Sequence, residues 1–227
     1  MFVDRIRLDE ALTGYAADLG IVDALRREPL ELHARVTVIT GPNGSGKSTL
    51  VESIAVAMGA NPTGGSRNAR FNAFGDAVHA LPITIARSEN PRDVFFLRGE
   101  SFLDLAQYHA TLPGDPLGHT TERSHGEGIM EFLRRRVSTG TLLLLDEPED
   151  GLSVFTQLEL LGLLTVFARR GTQIIMATHS PVLLAIPGAQ LITHELEPVL
   201  YDATEPVRAT REFIDNPRGT AAYLVEP

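Results

Sequence analysis

The stretch VITGPNGSGKSTLVES, residues 37–52, restricts the fold more tightly than anything else in the chain. Its centre, Gly41-Pro42-Asn43-Gly44-Ser45-Gly46-Lys47-Ser48, fits the pattern G-x-x-x-x-G-K-[ST]. That pattern works only between a strand and a helix. Glycines let the backbone curl so that successive N–H groups point inward at phosphate oxygens, and the helix adds its positive N-terminal end. Both neighbours are legible. ARVTVIT, residues 34–40, is β-branched and nearly all apolar, as a buried parallel strand requires. Downstream, Leu50, Val51, Ile54, Ala57 and Met58 recur at helical spacing. Lys47 is the single lysine in a chain with 20 Lys and Arg residues. Lysine is a compact point charge on a thin stem that can cross over phosphates, where arginine's planar fork would not fit. Lys47 is therefore expected to reach the β- and γ-phosphates of a nucleotide. Ser48 is expected to ligate Mg²⁺, and Thr49 completes the nucleotide-binding set.

Similar alternation continues along the chain. ITIAR and DVFFL read as strands. TLLLLDE and TQIIMATHS read as continuous buried strands. GEGIMEFLRRRV reads as an amphipathic helix, with Ile129, Phe132, Leu133 and Val137 on one face. SVFTQLELLGLLTVFARRG reads as a long helix capped by Ser153, with a basic last turn and Gly171 as terminator. The tail predicts two short strands, AQLIT and PVLYD, and a helix near EPVRATREFIDN. SFLDLAQYHA reads as a short helix with Ser101 as its cap, and residues 59–76 and 111–121 as loops. With 227 residues and 43% hydrophobic content, one α/β domain over 1–227 is expected.

Composition narrows the partners. The net charge of −9 does not advertise a basic face for nucleic acid, although a local patch is compatible with it. With no cysteine, disulfides and thiolate metal sites are excluded. MFVDRIRLDE carries no apolar leader, and the apolar runs are broken by charges well short of a membrane span, so a cytoplasmic protein is expected.

Two of the strands end in chemistry. TLLLLDEPED places Asp146 and Glu147 at a strand end, where Asp146 would hold Mg²⁺ through its water shell and Glu147 would polarise an attacking water as general base. His179 ends TQIIMATHS, at the edge where parallel sheets bind ligands, within reach of a γ-phosphate or the attacking water. Ahead of both, between the phosphate loop and TLLLLDEPED, lies RSHGEG, residues 123–128, where Ser124 and Gly126 make a second anion-friendly helix start. One nucleotide cannot easily use both helix starts of one chain.

The ordered set GPNGSGKST, RSHGEG, LLLLDEPE and ATHS resembles the ABC-type ATPase superfamily over about residues 2–216. The SHGE form, with GGSRN, FFLRGESF and DEPEDGLS, is similar to small stand-alone predicted ATPases related to the SMC-like branch. The resemblance implies a P-loop NTPase with an ABC-ATPase-like core. Its mostly parallel sheet would be flanked by helices, with N-terminal antiparallel strands and a small helical subdomain at approximately 98–139. It implies ATP and Mg²⁺ as cofactors and hydrolysis of ATP to ADP and phosphate. It also implies a homodimer formed on ATP binding, in which the signature element of one chain meets the nucleotide of the other. In that element Ser124 and Gly126 match the serine and second glycine of LSGGQ, His125 replaces the first glycine, and Glu127 replaces the glutamine. Tyr15 stands where an adenine-stacking aromatic residue is expected. No glutamine follows the strand DVFFL, and Glu100 is the stand-in offered as a metal ligand; Ser153 replaces the usual dimer-contacting aspartate.

Three further readings differ in class. A transporter's nucleotide-binding subunit should carry the glutamine that is missing. An SMC-like DNA ATPase should carry a long coiled coil, but only 76 residues separate Lys47 from Ser124 and none forms a heptad run; a coil-less DNA-associated ATPase of repair, segregation or phage defence stays open. A small-molecule kinase would explain the loop and Asp146 but neither RSHGEG nor ATHS.

Overall fold

The computed structural model describes residues 1–10, 12, 14–62, 64–66, 80–99 and 125–225. Nine strands and six helices are named below in chain order. The strands are β1 (Arg5–Leu8), β2 (Leu30–Glu31), β3 (Val36–Thr40), β4 (Gly65–Ser66), β5 (Ile83–Ala86), β6 (Asp93–Arg98), β7 (Thr141–Asp146), β8 (Gln173–Ala177) and β9 (Gln190–Thr193). The helices are α1 (Gly20–Arg27), α2 (Lys47–Ala57), α3 (His125–Arg136), α4 (Val154–Arg169), α5 (Glu205–Asp215) and α6 (Pro217–Val225).

One sheet runs β4-β6-β7-β8-β3-β9, parallel throughout except for the short β4. A second, antiparallel sheet runs β2-β1-β5. This is the mixed architecture expected from the sequence, with N-terminal antiparallel strands beside a mostly parallel core. The parallel strands lack the alternation of a half-exposed sheet because both faces are covered. Phe95, Leu97, Leu143, Leu145, Ile174 and Met176 point into one core, filled from the far side by α3 and α4. Their neighbours Val94, Phe96, Leu142, Leu144, Ile175 and Ala177 point into the other, against α1, α2 and the antiparallel sheet. Each fully buried leucine of β7 contributes about 1.5–3 kcal/mol by leaving water.

Two polar devices fix the frame. Gln173 at the start of β8 accepts from the backbone N–H of Phe2 and Val3 (2.7 and 2.9 Å) and donates to the Val3 carbonyl (2.7 Å). The N-terminal segment is thereby tied to the parallel sheet by a buried amide whose oxygen and nitrogen are both hydrogen-bonded. Ser153 caps α4 as the sequence predicts, accepting from Thr156 N at 3.2 Å. The tail differs from expectation. PVLYD does not form a strand: Pro198 makes one isolated bridge to Ile192, and residues Tyr201–Ala203 wind into a 3-10 turn. Among the described residues, pairing there is limited to Thr193 N–Glu197 O (2.9 Å) and Val199 N–Leu191 O (3.0 Å) around that bridge, before the 3-10 turn begins. Residues 59–76, read as a loop, contain β4, whose two residues pair with Phe95 and Phe96. Helices α1 and α6 were not foreseen. Ser101, the SFLDLAQYHA helix and the 111–121 loop lie outside the described residues.

Candidate nucleotide site

Strand order brings the chemistry together. β8 lies between β3 and β7, so the loop after β3, the acids ending β7 and the histidine after β8 share one end of the sheet. A cleft there is lined by Tyr15, Leu19, Asn43, Gly44, Gly46, Lys47, Ser48, Thr49 and Glu147.

The phosphate loop runs into the N-terminus of α2, which begins at Lys47. Gly46 takes the left-handed conformation at φ 97°, and a Cβ on it would stand 2.6 Å from Ile21 Cγ2. Both facts require glycine. They also show what backs the loop: Leu19 and α1 pack directly behind it, and Ile21 N donates to Ser45 O at 3.2 Å. Lys47 is 4% exposed, and its Nζ donates to the carbonyls of Gly41 (2.8 Å) and Pro42 (2.9 Å). Burial lowers the lysine's pKa, while the carboxylates of Glu147, Asp146 and Glu149 act to hold its proton. Tyr15 sits 78% exposed at the cleft's edge, in a 3-10 turn just ahead of α1.

Asp146 closes β7 in a buried position, opposite Arg98 at the tip of β6. Arg98 Nε stands 3.3 Å from Asp146 Oδ2, and Arg98 Nη1 stands 3.6 Å from Glu52 Oε2. This arginine was not singled out in the sequence, where attention went to a glutamine substitute two residues later. Gly99 follows it against the next turn: a Cβ there would stand 2.1 Å from the Glu147 carbonyl oxygen. Glu147 itself has φ 46°, a conformation that costs a non-glycine residue of order 1–3 kcal/mol. Its N–H donates to Ala177 O at 2.9 Å, which turns the side chain out of the strand towards the cleft. Burial, and then repulsion by Asp146, raise the Glu147 carboxyl above its ordinary pKa.

His179 Nε2 stands 3.7 Å from Glu147 Oε1. Burial, and then the Lys47 charge, lower the imidazole's pKa below its ordinary 6.5, so the ring is neutral at pH 7 and carries one donor and one acceptor. The loop bearing it is held by Glu149, another residue not singled out in the sequence. Glu149 Oε1 accepts from Thr178 Oγ1 (2.6 Å), His179 N (2.8 Å) and Ser180 N (3.1 Å). One signal did exist: three polar residues beyond a fully buried strand have N–H groups that need acceptors.

The signature residues are only partly described. Ser124 lies outside the described residues, as does Glu100, and His125 opens α3. Gly126 packs against the start of α4, where a Cβ would stand 2.8 Å from Thr156 Cγ2. Glu127 follows in the exposed first turn of α3.

A hydroxyl at Ser48 and a carboxylate at Asp146 are hard oxygen donors, and they suit Mg²⁺ held mainly through phosphates and water. No cluster of three or more His, Cys, Asp or Glu side chains able to hold a metal ion occurs among the described residues.

Comparison with known proteins decides the family. Residues 22–99 match a family described as "AAA domain", and residues 129–185 match one described as "AAA domain, putative AbiEii toxin, Type IV TA system". The chain is 34% identical over 172 residues to the cytochrome c biogenesis ATP-binding export protein CcmA of Mesorhizobium japonicum, covering 68% of this chain and 82% of that protein. The chain belongs to the ABC-type ATPase superfamily. This ABC-type ATPase is also 27% identical over 205 residues to the zinc import ATP-binding protein ZnuC of Mannheimia succiniciproducens, covering 86% of this chain and 70% of that one. A solved structure described as "An inward-facing conformation of a putative metal-chelate type ABC transporter" aligns with TM-score 0.43 and 17% identity, over 76% of this chain and 74% of that chain. No helix among the described residues of the ATPase is long and apolar enough to cross a membrane.

Proposed function

We propose that this protein hydrolyses ATP to ADP and phosphate, and that binding of ATP drives two copies together to act on a partner. The observation that carries this reading is the approach of Glu147 and neutral His179 to one another beside the phosphate loop.

In this reading Tyr15 stacks on adenine, the backbone of residues 41–46 with Ser48 and Thr49 cradles the phosphates, and Lys47 exchanges its carbonyl partners for phosphate oxygens. Ser48 and Asp146, with Glu100 as a further candidate, would hold Mg²⁺. When bound, the metal neutralises charge on the phosphates. The Glu147 carboxylate takes a proton from water as the water oxygen attacks the γ-phosphorus, and the bond to the bridging oxygen of ADP breaks. A raised pKa makes Glu147 a better proton acceptor than an ordinary carboxylate. His179 donates to the γ-phosphate through its ring. Positioning and charge stabilisation supply most of the catalysis. Ser124, His125, Gly126 and Glu127 of one chain would contact the nucleotide held by the other, and hydrolysis would reopen the pair.

Glu147→Gln should lower turnover by about 10²–10⁴-fold while leaving ATP binding intact. Light scattering should then show a stable dimer with ATP and Mg²⁺ and a monomer with ADP. A variant that stays monomeric with ATP would sink the dimer cycle.

A second reading, a nucleotide-binding subunit of a transporter, is favoured by the names of the export and import relatives. It requires that the Glu147→Gln protein, with ATP, co-purify with an integral membrane protein. Recovery of DNA, or DNA-stimulated turnover, would favour the DNA-associated alternative instead.

A further inference from the structure

We infer that Glu149 is the positioning residue that fixes His179 opposite Glu147, with Gln157 bracing the same loop from α4. This rests on the hydrolytic reading above and adds a residue that the sequence motifs do not assign.

The argument starts from the backbone after β8. Thr178 N still reaches Ile39 O in the neighbouring strand at 3.2 Å. Beyond it the chain leaves the sheet, and the N–H groups of His179 and Ser180 no longer have a strand partner. Both donate to Glu149 Oε1, and the Thr178 hydroxyl adds a third bond to the same oxygen. A single carboxylate oxygen therefore gathers the three consecutive residues centred on His179.

The other end of this tie is the catalytic turn. Glu149 is joined to Glu147 through Pro148 alone, and Asp150 N closes the turn on Glu147 O at 3.1 Å. Proline fixes its own φ, so the three-residue link is short and stiff. Glu149 thus connects the backbone of His179 to the backbone of Glu147, and the two side chains meet 3.7 Å apart on the cleft side of that connection.

A second brace runs parallel to the first. Ser180 Oγ donates to Gln157 Oε1 (2.6 Å) and accepts from Val182 N and Leu183 N (3.2 Å each). Gln157 Nε2 donates in turn to Leu152 O at 3.1 Å. The loop is therefore pinned to the 147–152 turn at both ends.

Packing alone does not explain a carboxylate here. A withdrawn acid costs free energy that an apolar side chain would not, and Glu149 Oε2 is buried with no hydrogen-bond partner among the described residues. What the acid contributes is an oxygen able to accept three bonds at once.

The test is steady-state ATPase kinetics on the full chain, combined with NMR of the His179 ring, assigned by its loss in His179→Ala. Glu149→Ala should lower kcat about 10–100-fold and leave KM for ATP within about twofold, because the phosphate loop is untouched. In a His179→Ala background it should cost less than about twofold more, since residues acting as a unit are not additive. Glu149→Gln keeps the accepting oxygen and should stay within about threefold of wild type. The His179 ring signals should shift in Glu149→Ala and hold in Glu149→Gln. Full additivity in the double variant, unchanged kcat in Glu149→Ala, or unmoved ring signals would each overturn the inference. If Glu149→Ala does not fold, Thr178→Val takes its place: it removes one of the three bonds, and an unaltered kcat there overturns the inference equally. Wild-type turnover in Glu147→Gln would overturn the hydrolytic reading instead, and the ring signals would then decide the role of Glu149 by themselves.

Discussion

Lys47 and Glu149 are two ionisable side chains withdrawn from water at the same end of the sheet, and they are held in opposite ways. Lys47 gives its protons to two carbonyls of its own loop, five and six residues away in sequence. Glu149 receives bonds from residues 29 to 31 positions away, in the loop that follows β8. The first arrangement is local, so a short pattern can encode it. The second exists only because β7 and β8 are neighbours in the sheet. Burial acts on both, lowering the lysine's pKa and raising the acid's; nearby carboxylates oppose that shift at Lys47, and hydrogen bonds oppose it at Glu149.

The most severe way to break this comparison is at Lys47. Lys47→Arg keeps the charge but replaces a thin stem by a fork, so affinity for a fluorescent ATP analogue should fall by at least about 100-fold. Binding within about threefold of wild type would mean that charge alone suffices and that the cradle is looser than its hydrogen bonds indicate.

The Glu149 side gives a smaller effect with a definite sign. Its carboxyl is raised from an ordinary value of 4.5, mainly by burial. The folded protein therefore keeps that proton at pH values where the unfolded chain has lost it. Stability falls as pH rises through this window, from about the ordinary carboxylate pKa to the raised one. Glu149→Gln removes the titration, so its melting temperature should gain on wild type as pH increases from about 4 to about 8. Glu147 is raised in the same direction, mainly by burial and by Asp146, which both proteins share; the smaller push from Glu149 has the same sign and is lost with it. A gap that narrows with rising pH would contradict the assignment of Glu149 as a buried, weakened acid.

The smallest effect is expected at Ser153, which caps α4 but makes no contact with either charged group. Ser153→Ala should cost about 1 kcal/mol, or roughly 2–4 °C in melting temperature, and leave kcat unchanged. A large loss of turnover would extend the coupled unit from the 147–152 turn into the helix start.

How much was legible follows the same division. The loop from Gly41 to Ser48, the buried strands and the capped helix α4 could be read because each rests on spacing within a few residues. Asp146, Glu147 and His179 could be singled out because acids and a histidine ending fully apolar strands are conspicuous. Arg98 and Gly99 were passed over, although FFLRGES was inspected, because their importance comes from lying in register with Asp146 and against Glu147. Helix α1 was legible in principle, since Ile21, Val22, Ala24 and Leu25 recur at helical spacing; only its contact behind Gly46 is not announced by DLGIVDALRRE. The PVLYD expectation failed because the chain pairs only around Pro198 and then winds into a 3-10 turn at Tyr201.

The sequence by itself determined that this chain has a phosphate-binding loop, that two of its buried strands end in catalytic residue types, and that it is α/β. These are short-range properties of backbone conformation and hydrophobic periodicity. Only the tertiary structure decided that β8 lies between β3 and β7, and so that His179 faces Glu147 and that Glu149 can hold it there. Parallel strands are joined by long crossovers, and their order in the sheet is set by which faces bury best against the helices, a global choice that no local pattern carries.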